Sequence, residues 1–252
     1  MAFRGRVALI TGAGSGMGRL AAQRLAQGDV RVAAVDVNEK GLEETAGDRA
    51  SIRSYRCDVS DREAVDLLVK QVESELGPID RVVNAAAIAP SGLLLEQDTD
   101  LIRRLMEINY GGTVNVTKAS LPGMLARGSG DLINFASLAG WLPSLQLGAY
   151  SATKFAVVAF SEVLYHENRG RGVRMVCVCP PKVDTPLLEQ AKAKSIDASP
   201  MIQPVEVLDA IEESLEGGRF WVFPGKGTRW VWRVRRFLPG LLWRRLHQIE
   251  EL

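Results

Sequence analysis

The sequence predicts an α/β fold: a doubly wound parallel sheet of about seven strands with helices on both faces. Three observations predict it. Short apolar, β-branched runs alternate with longer amphipathic segments along the chain. The short runs are apolar almost throughout, as strands covered on both faces must be. A glycine cluster, Gly12 to Gly18, then follows the first run just where a helix should begin. A chain of 252 residues buries a full core without staples. No repeat, low-complexity tract or linker interrupts the pattern before residue 217, so residues 1–252 read as one domain ending in a basic, Trp-rich segment, 219–252.

Each element has its own justification. Residues 6–11 (RVALIT) are the first strand and stop at Thr11-Gly12. Residues 16–27 make the first helix, 31–37 (RVAAVDV) the second strand and 52–57 a weaker third. In 61–76, Val65, Leu68, Val69, Val72 and Leu76 recur at helical spacing, with Ser60 as the expected N-cap. A strand at 79–84, a helix at 99–126, a strand at 131–136, a helix at 150–168, a strand at 173–178 and a helix at 204–216 complete the alternation. Beyond them Pro239-Gly240 is expected to break the C-terminal segment into two short pieces.

Composition excludes several function classes. With 31 basic against 30 acidic side chains, nothing draws the chain as a whole to nucleic acid. Two histidines, His166 and His247, and three cysteines, Cys57, Cys177 and Cys179, argue against a Cys/His metal site. Cys177 and Cys179 are expected to point to opposite faces of a strand and so not to chelate together. So few cysteines fit a reducing compartment. The run Val7–Ile10 is too short for a signal-peptide core, and polar residues and Pro143 interrupt the uncharged stretch 132–153. The expected location is the cytoplasm.

The glycine cluster reads Gly12-x-x-x-Gly16-x-Gly18 and fits no frame of Gly-x-Gly-x-x-Gly. Bare backbone at a helix N-terminus lets a pyrophosphate approach its free N–H groups. Asp36 ends the second strand 18 residues after Gly18, where a carboxylate can accept from a ribose diol and repel a 2′-phosphate. Neither Ser15 nor Val37 brings a compensating positive charge. NAD (NADH) is therefore expected over NADP. Tyr150 and Lys154 stand four apart on one helix face. A free phenol with a pKa near 10 exchanges protons poorly at neutral pH, and a nearby ammonium is expected to lower that value.

Taken together, the glycine loop, Asp36, Asn84-Ala85-Ala86-Ala87, Asn109, Ser137 and the Tyr150/Lys154 pair resemble the short-chain dehydrogenase/reductase family in its basic single-domain form, over roughly residues 4–186. The resemblance implies a Rossmann-like fold and hydride transfer between NAD(H) and a secondary alcohol or ketone. Tyr150 would exchange the proton, Lys154 would lower the tyrosine pKa and hold the nicotinamide ribose, Ser137 would orient the substrate oxygen and Asn109 would support a water relay. Gly12, Ser15, Gly16, Met17, Gly18, Asn84, Pro180, Val183 and Thr185 are expected at the cofactor, with Asp58 and Val59 at its adenine. It also implies a homotetramer or homodimer formed through the helices carrying Asn109 and Tyr150. A non-catalytic NAD(H)-sensing protein on the same fold is the alternative.

Two departures stand out. Asn84-Ala85-Ala86-Ala87 replaces the family's Asn-Asn-Ala-Gly, which is tolerable where the backbone φ is negative. Pro180-Pro181 replaces Pro-Gly and removes a backbone donor beside the nicotinamide. Ser151-x-x-Lys154 lacks the partner motifs of an acyltransferase, and no nucleophile elbow, Walker loop or zinc-protease motif occurs. Apolar residues flank the tyrosine, Leu142 among them, and Leu187 and Leu188 open a stretch to Gln203 read as a mobile lid, which suits a hydrophobic substrate. The C-terminal segment holds four of the five tryptophans and eight Lys/Arg against Glu250 and Glu251. It has two readings: packing on the protein or a sister subunit, or peripheral membrane contact through residues 228–249. No recognised motif links it to nucleic acid.

Overall fold

Alternation within single strands explains the layers. In β1 (Val7–Thr11), Val7 and Leu9 pack into one hydrophobic cluster while Ala8 and Ile10 pack into another on the opposite face. The computed structural model describes residues 3, 5–193, 200–228, 237 and 239–250. The elements after β1 run α1 (Gly16–Leu25), β2 (Arg31–Asp36), α2 (Glu39–Ala46), β3 (Ile52–Arg56), α3 (Arg62–Leu76) and β4 (Arg81–Asn84). Next come α4 (Thr99–Met106), a π-turn (Glu107–Gly111), α5 (Gly112–Arg127), β5 (Gly130–Phe135), α6 (Gly148–Glu167) and β6 (Val173–Val178). The last are β7 (Lys182–Val183), β8 (Met201–Ile202), α7 (Pro204–Glu216), β9 (Trp221–Val222) and α8 (Pro239–Glu250).

Seven strands form one parallel sheet in the order β3-β2-β1-β4-β5-β6-β9. Helices α3, α5 and α6 cover one face and α1, α2 and α7 the other. The strand order reverses between β1 and β4, and a crevice opens there beyond the carboxyl ends of the strands. At the opposite, amino ends lies a buried charge cluster. Arg81 bonds Asp131 through Nε and Nη2 and Glu212 through Nη1, Arg174 bonds the same Asp131, and Phe3 lies over the Arg81 guanidinium.

Several expectations are corrected. Asp61, not Ser60, caps α3: its Oδ1 accepts from Ala64 N–H at 3.0 Å, while Ser60 bonds back to Asp58. The helix expected over 99–126 is two helices joined by the π-turn that holds Asn109. Cys177 and Cys179 lie on the same face of the sheet, as residues two apart in a strand must, and their free thiols are hydrogen-bonded to each other. No group of three metal-ligating side chains occurs among the described residues. Trp221, counted with the basic tail, belongs to the sheet: it pairs with Cys177 and stacks edge-on against Trp141 at 5.0 Å. Pro239 and Gly240 are both helical, within α8, rather than in a turn between two pieces. Trp230, Trp232 and residues 194–199 of the expected lid lie outside the described residues.

Candidate active site

A cleft of about 620 Å3 runs along the crevice, walled by segments that follow β1, β2, β4, β5 and β6. Its first wall is the β1–α1 loop. Gly12 has φ +66°, and a Cβ there would stand 2.8 Å from the backbone of Ala85 and Ala86, so the loop and the end of β4 meet only because the residue is bare. The Thr11 hydroxyl locks the same contact by accepting from Ala85 and Ala86 N–H at 3.1 and 3.2 Å. Ser15 is the N-cap of α1 but makes no side-chain cap bond, and no acidic residue occupies the first turn. The amide groups at that helix end are thus left to an anion.

Asp36 abuts this loop at the edge of the cleft. Its Oδ2 accepts from Gly14 N–H and its Oδ1 from Asn38 N–H, both at 2.9 Å, and a Cβ on Gly14 would press into the carboxyl. Farther along lie Asp58, Val59 and Arg104. Asp58 accepts from Ser60 through backbone and hydroxyl and from the Arg104 guanidinium. Burial raises its pKa, but those hydrogen bonds outweigh it and hold the carboxyl below its ordinary value. A glycine cradle at a helix N-terminus, a diol-accepting carboxylate and a second carboxylate beyond it fit a dinucleotide: pyrophosphate, ribose and base in that order.

At the other end Tyr150 and Ser137 meet. Their hydroxyls hydrogen-bond, and Ala139 N–H donates to Ser137 Oγ at 3.0 Å, fixing that side chain. Lys154 lies one turn on, its Nζ 5.7 Å from the Tyr150 ring centre and donating to Phe135 O at 2.8 Å. Burial acts on both. It pushes the Tyr150 phenol up to about 12, partly offset by the Ser137 bond, and pushes Lys154 down to about 8. The expected lowering of the tyrosine by Lys154 is therefore corrected: desolvation dominates, and the ammonium is spent on a backbone carbonyl. The surrounding wall is apolar, with Leu147 and Leu187 packed near Tyr150, and Leu142 also lines the cleft.

The family model for short chain dehydrogenases matches residues 6–196. The chain is a member of the short-chain dehydrogenase/reductase family. It is 41% identical over 194 residues to D-threitol dehydrogenase of Mycolicibacterium smegmatis, covering 74% of each chain. It is 33% identical to retinol dehydrogenase 10-B of Danio rerio, over 84% of this chain and 70% of that one. It is 31% identical to estradiol 17-beta-dehydrogenase 11 of Pongo abelii, over 93% and 80%. A short-chain dehydrogenase/reductase from Burkholderia phymatum, solved in complex with NAD, superposes with TM-score 0.86 at 25% identity over 96% of both chains.

Gly12, Ser15, Gly16, Met17, Gly18, Asp36, Asp58, Val59, Ser137, Leu142, Tyr150, Lys154, Pro180, Val183, Thr185 and Leu187 all line the cleft of this short-chain dehydrogenase/reductase. Two expected residues do not. Asn84 turns its amide inward, donating to Thr117 Oγ1 at 3.0 Å and Asn134 Oδ1 at 2.9 Å, because β4 lies at the centre of the sheet. Asn109 is fully buried and clasps Ile88, taking its N–H and donating to its carbonyl, both at 2.9 Å. It shapes the wall through Ile88 rather than lining it. The substitution at Ala87 causes no strain: Gln146 is the one non-glycine with positive φ among the described residues. Pro180 keeps a backbone role, its carbonyl accepting from Leu138 N–H at 2.8 Å.

Sequence reasoning missed Arg104 and Gln190. Arg104 comes 46 residues after Asp58, too far for any local pattern to join them. Gln190 lines the substrate end and ties two walls together, its Oε1 accepting from Ala89 N–H at 3.0 Å and its carbonyl accepting from Ser91 N–H. The polar–apolar–polar order around residues 184–192 carries no signal for either bond.

Proposed function

We propose that this oxidoreductase transfers hydride between NAD(H) and a hydrophobic secondary alcohol or ketone, with Tyr150 as general acid and base. The observation that carries the reading is the hydroxyl pair of Tyr150 and Ser137, set among leucines at one end of a cleft whose other end is a glycine cradle facing Asp36. The nicotinamide, when bound, supplies or accepts the hydride. The chain's own residues do the rest. Ser137 and Tyr150 hydrogen-bond the substrate oxygen, and Tyr150 Oη gives it a proton in reduction or takes one in oxidation. Lys154 holds positive charge beside the phenol and is placed to meet the nicotinamide ribose. Asn109, through Ile88, keeps the opposite wall in register. Asp36 favours NAD, because a 2′-phosphate would meet its carboxylate.

The names of the relatives support the substrate class in outline: two carry retinol or estradiol, both apolar alcohols, and one a small polyol, D-threitol. The leucine-lined wall favours the first kind. Assembly through the helices that carry Asn109 and Tyr150 belongs to the same reading, and the exposure of Met106 on α4 and Val163 on α6 supports it.

The test follows NADH absorbance with NAD and a panel of aliphatic, aryl and steroid alcohols, and with the matching ketones in reverse. Tyr150→Phe should bind NADH within about twofold of wild type and lose on the order of 10²- to 10⁴-fold in turnover. Normal turnover by that variant overturns the role of Tyr150. NADH binding with no Tyr150-dependent turnover across the panel favours the sensing alternative.

A further inference from the structure

Outward-facing apolar residues flank the substrate end of the cleft on two sides. On one side Leu93, Leu94 and Leu95 follow one another, and Leu95 is fully exposed. Their loop is fastened to the cleft wall: Gly92 N–H donates to Gln146 O at 2.8 Å, and Leu94 lies against Gly148, the neighbour of lining Leu147. On the other side half-exposed Met201 sits between lining residues Pro200 and Ile202. Leucines held in water beside an apolar cavity mark a surface that meets something apolar.

The C-terminal segment departs from the same cleft, since Thr228 forms part of its wall. Beyond it Phe237 is 74% exposed, and Trp243 and Arg244 are exposed on α8. Residues 219–252 carry eight Lys/Arg against two glutamates, a balance of +6. Basic residues interleaved with aromatic ones hold a segment at an anionic bilayer, the rings in the headgroup zone and the charges on the lipid phosphates. Charge favours this occupant over a second copy, because two such segments repel each other. Glu96, Asp98 and Asp100 follow the leucine loop, so the attraction must come from the C-terminal segment, while the leucines add apolar insertion. No helix among the described residues is long and apolar enough to cross a membrane, so the contact is with the surface.

We propose that the substrate mouth docks on an anionic lipid bilayer, with Phe237, Trp243 and the basic C-terminal residues as the anchor and Leu95 dipping into the interface. Resting on the reading that the cleft takes hydrophobic alcohols or ketones, this lets the substrate pass from lipid to Tyr150 without crossing water. The experiment floats the full chain with vesicles of phosphatidylcholine, alone or mixed with phosphatidylglycerol, with bound protein as the readout. Binding should be about tenfold or more stronger on the mixed vesicles and should weaken at high salt. Leu95→Glu, Phe237→Ser and Trp243→Ser should each reduce it severalfold and leave NADH affinity and gel-filtration size unchanged. Equal neglect of both vesicle types, or variants that bind like wild type, overturns the docking. So does a change in oligomeric size in the variants, which would assign the patch to a subunit contact. Vesicle binding with no turnover on any apolar alcohol would keep the docking and discard the substrate reading.

Discussion

Asp36 offers the sharpest test of cofactor choice, through Asp36→Asn. The carboxylate ends β2 in the cleft wall, held by N–H groups of Gly14 and Asn38 at 2.9 Å each. The phosphate that distinguishes NADPH would bring a second anion to the ribose position. At an effective dielectric near 20, two unit charges 5–6 Å apart repel by about 3 kcal/mol. Asp36 is partly exposed, so screening trims this to roughly 1.5–2.5 kcal/mol, about 10- to 70-fold in Kd. Asparagine keeps the volume and one acceptor but faces the second N–H donor with its own NH2, which should cost about 1–2 kcal/mol of stability. Fluorescence titration with NADH and NADPH measures the outcome. Wild type should favour NADH by at least the repulsion factor, and the variant should bring the two affinities close together, mainly by tighter NADPH binding. Equal wild-type affinities refute the argument. Equal weakening of both ligands in the variant refutes it too, and leaves the carboxylate as a brace for the glycine loop.

Three further outcomes are expected. Lys154 loses its charge as pH rises through about 8, so kcat/KM for ketone reduction should hold below that pH and fall up to tenfold per unit above it; Lys154→Arg, charged throughout, should move the inflection upward, and an unmoved inflection would dissociate it from Lys154. The fold as a whole feels the same group: an unfolded chain binds this proton up to about 10.4, so the stability cost of burying it is full below pH 8 and fades as pH climbs between the two values. Arg104→Met should raise the Kd of NADH and of AMP by about fivefold by releasing Asp58, with kcat and nicotinamide mononucleotide binding unchanged and partial recovery in Arg104→Lys; an equal loss for the mononucleotide would make the effect structural. Arg81→Met removes the buried guanidinium that bridges Asp131 and Glu212 at the far end of the strands and should cost about 3–5 kcal/mol. Thermal melts should drop by roughly 6–20 °C with turnover per folded molecule intact, and a drop under about 3 °C would refute the estimate.

What was legible in the sequence was whatever lies close together along it. Glycines between a strand and a helix, an acid at the next strand end and a Tyr-x-x-x-Lys step on one helix are local patterns, and each lines the cleft. Asn84 belongs to as local a motif, yet spacing says nothing about which way a side chain turns at the centre of a sheet; the partners that draw it inward, Thr117 and Asn134, come from α5 and β5. Helix α2 leaves little trace in the sequence because its eight residues, EKGLEETA, offer only Leu42 as a large apolar residue; Asn38, accepting from Gly41 N–H at 3.1 Å, caps it. Trp221 is indistinguishable by composition from the tryptophans and arginines that follow it, although a two-residue strand closes the sheet there. Composition averages over the boundary that pairing reveals.

The Tyr150–Lys154 pair shows why spacing alone misjudges chemistry. Four residues on a helix bring the two groups together, and in water the ammonium would acidify the phenol. Inside this fold both charged forms lose their solvent, so burial moves the tyrosine up to about 12 and the lysine down to about 8. At neutral pH the phenol therefore keeps its proton, and Ser137 holds that hydroxyl where the substrate oxygen must arrive. In the proposed reduction the proton is in place at the start. In the proposed oxidation that proton must first leave Tyr150, against the cost of a buried phenolate, and the Lys154 ammonium, bonded to Phe135 O, is placed to offset that cost. Under the proposed mechanism the phenolate that opens oxidation is also the one that closes reduction, so both directions draw on the Lys154 charge; they respond differently to pH because oxidation needs the phenol deprotonated before hydride transfer and reduction needs it protonated.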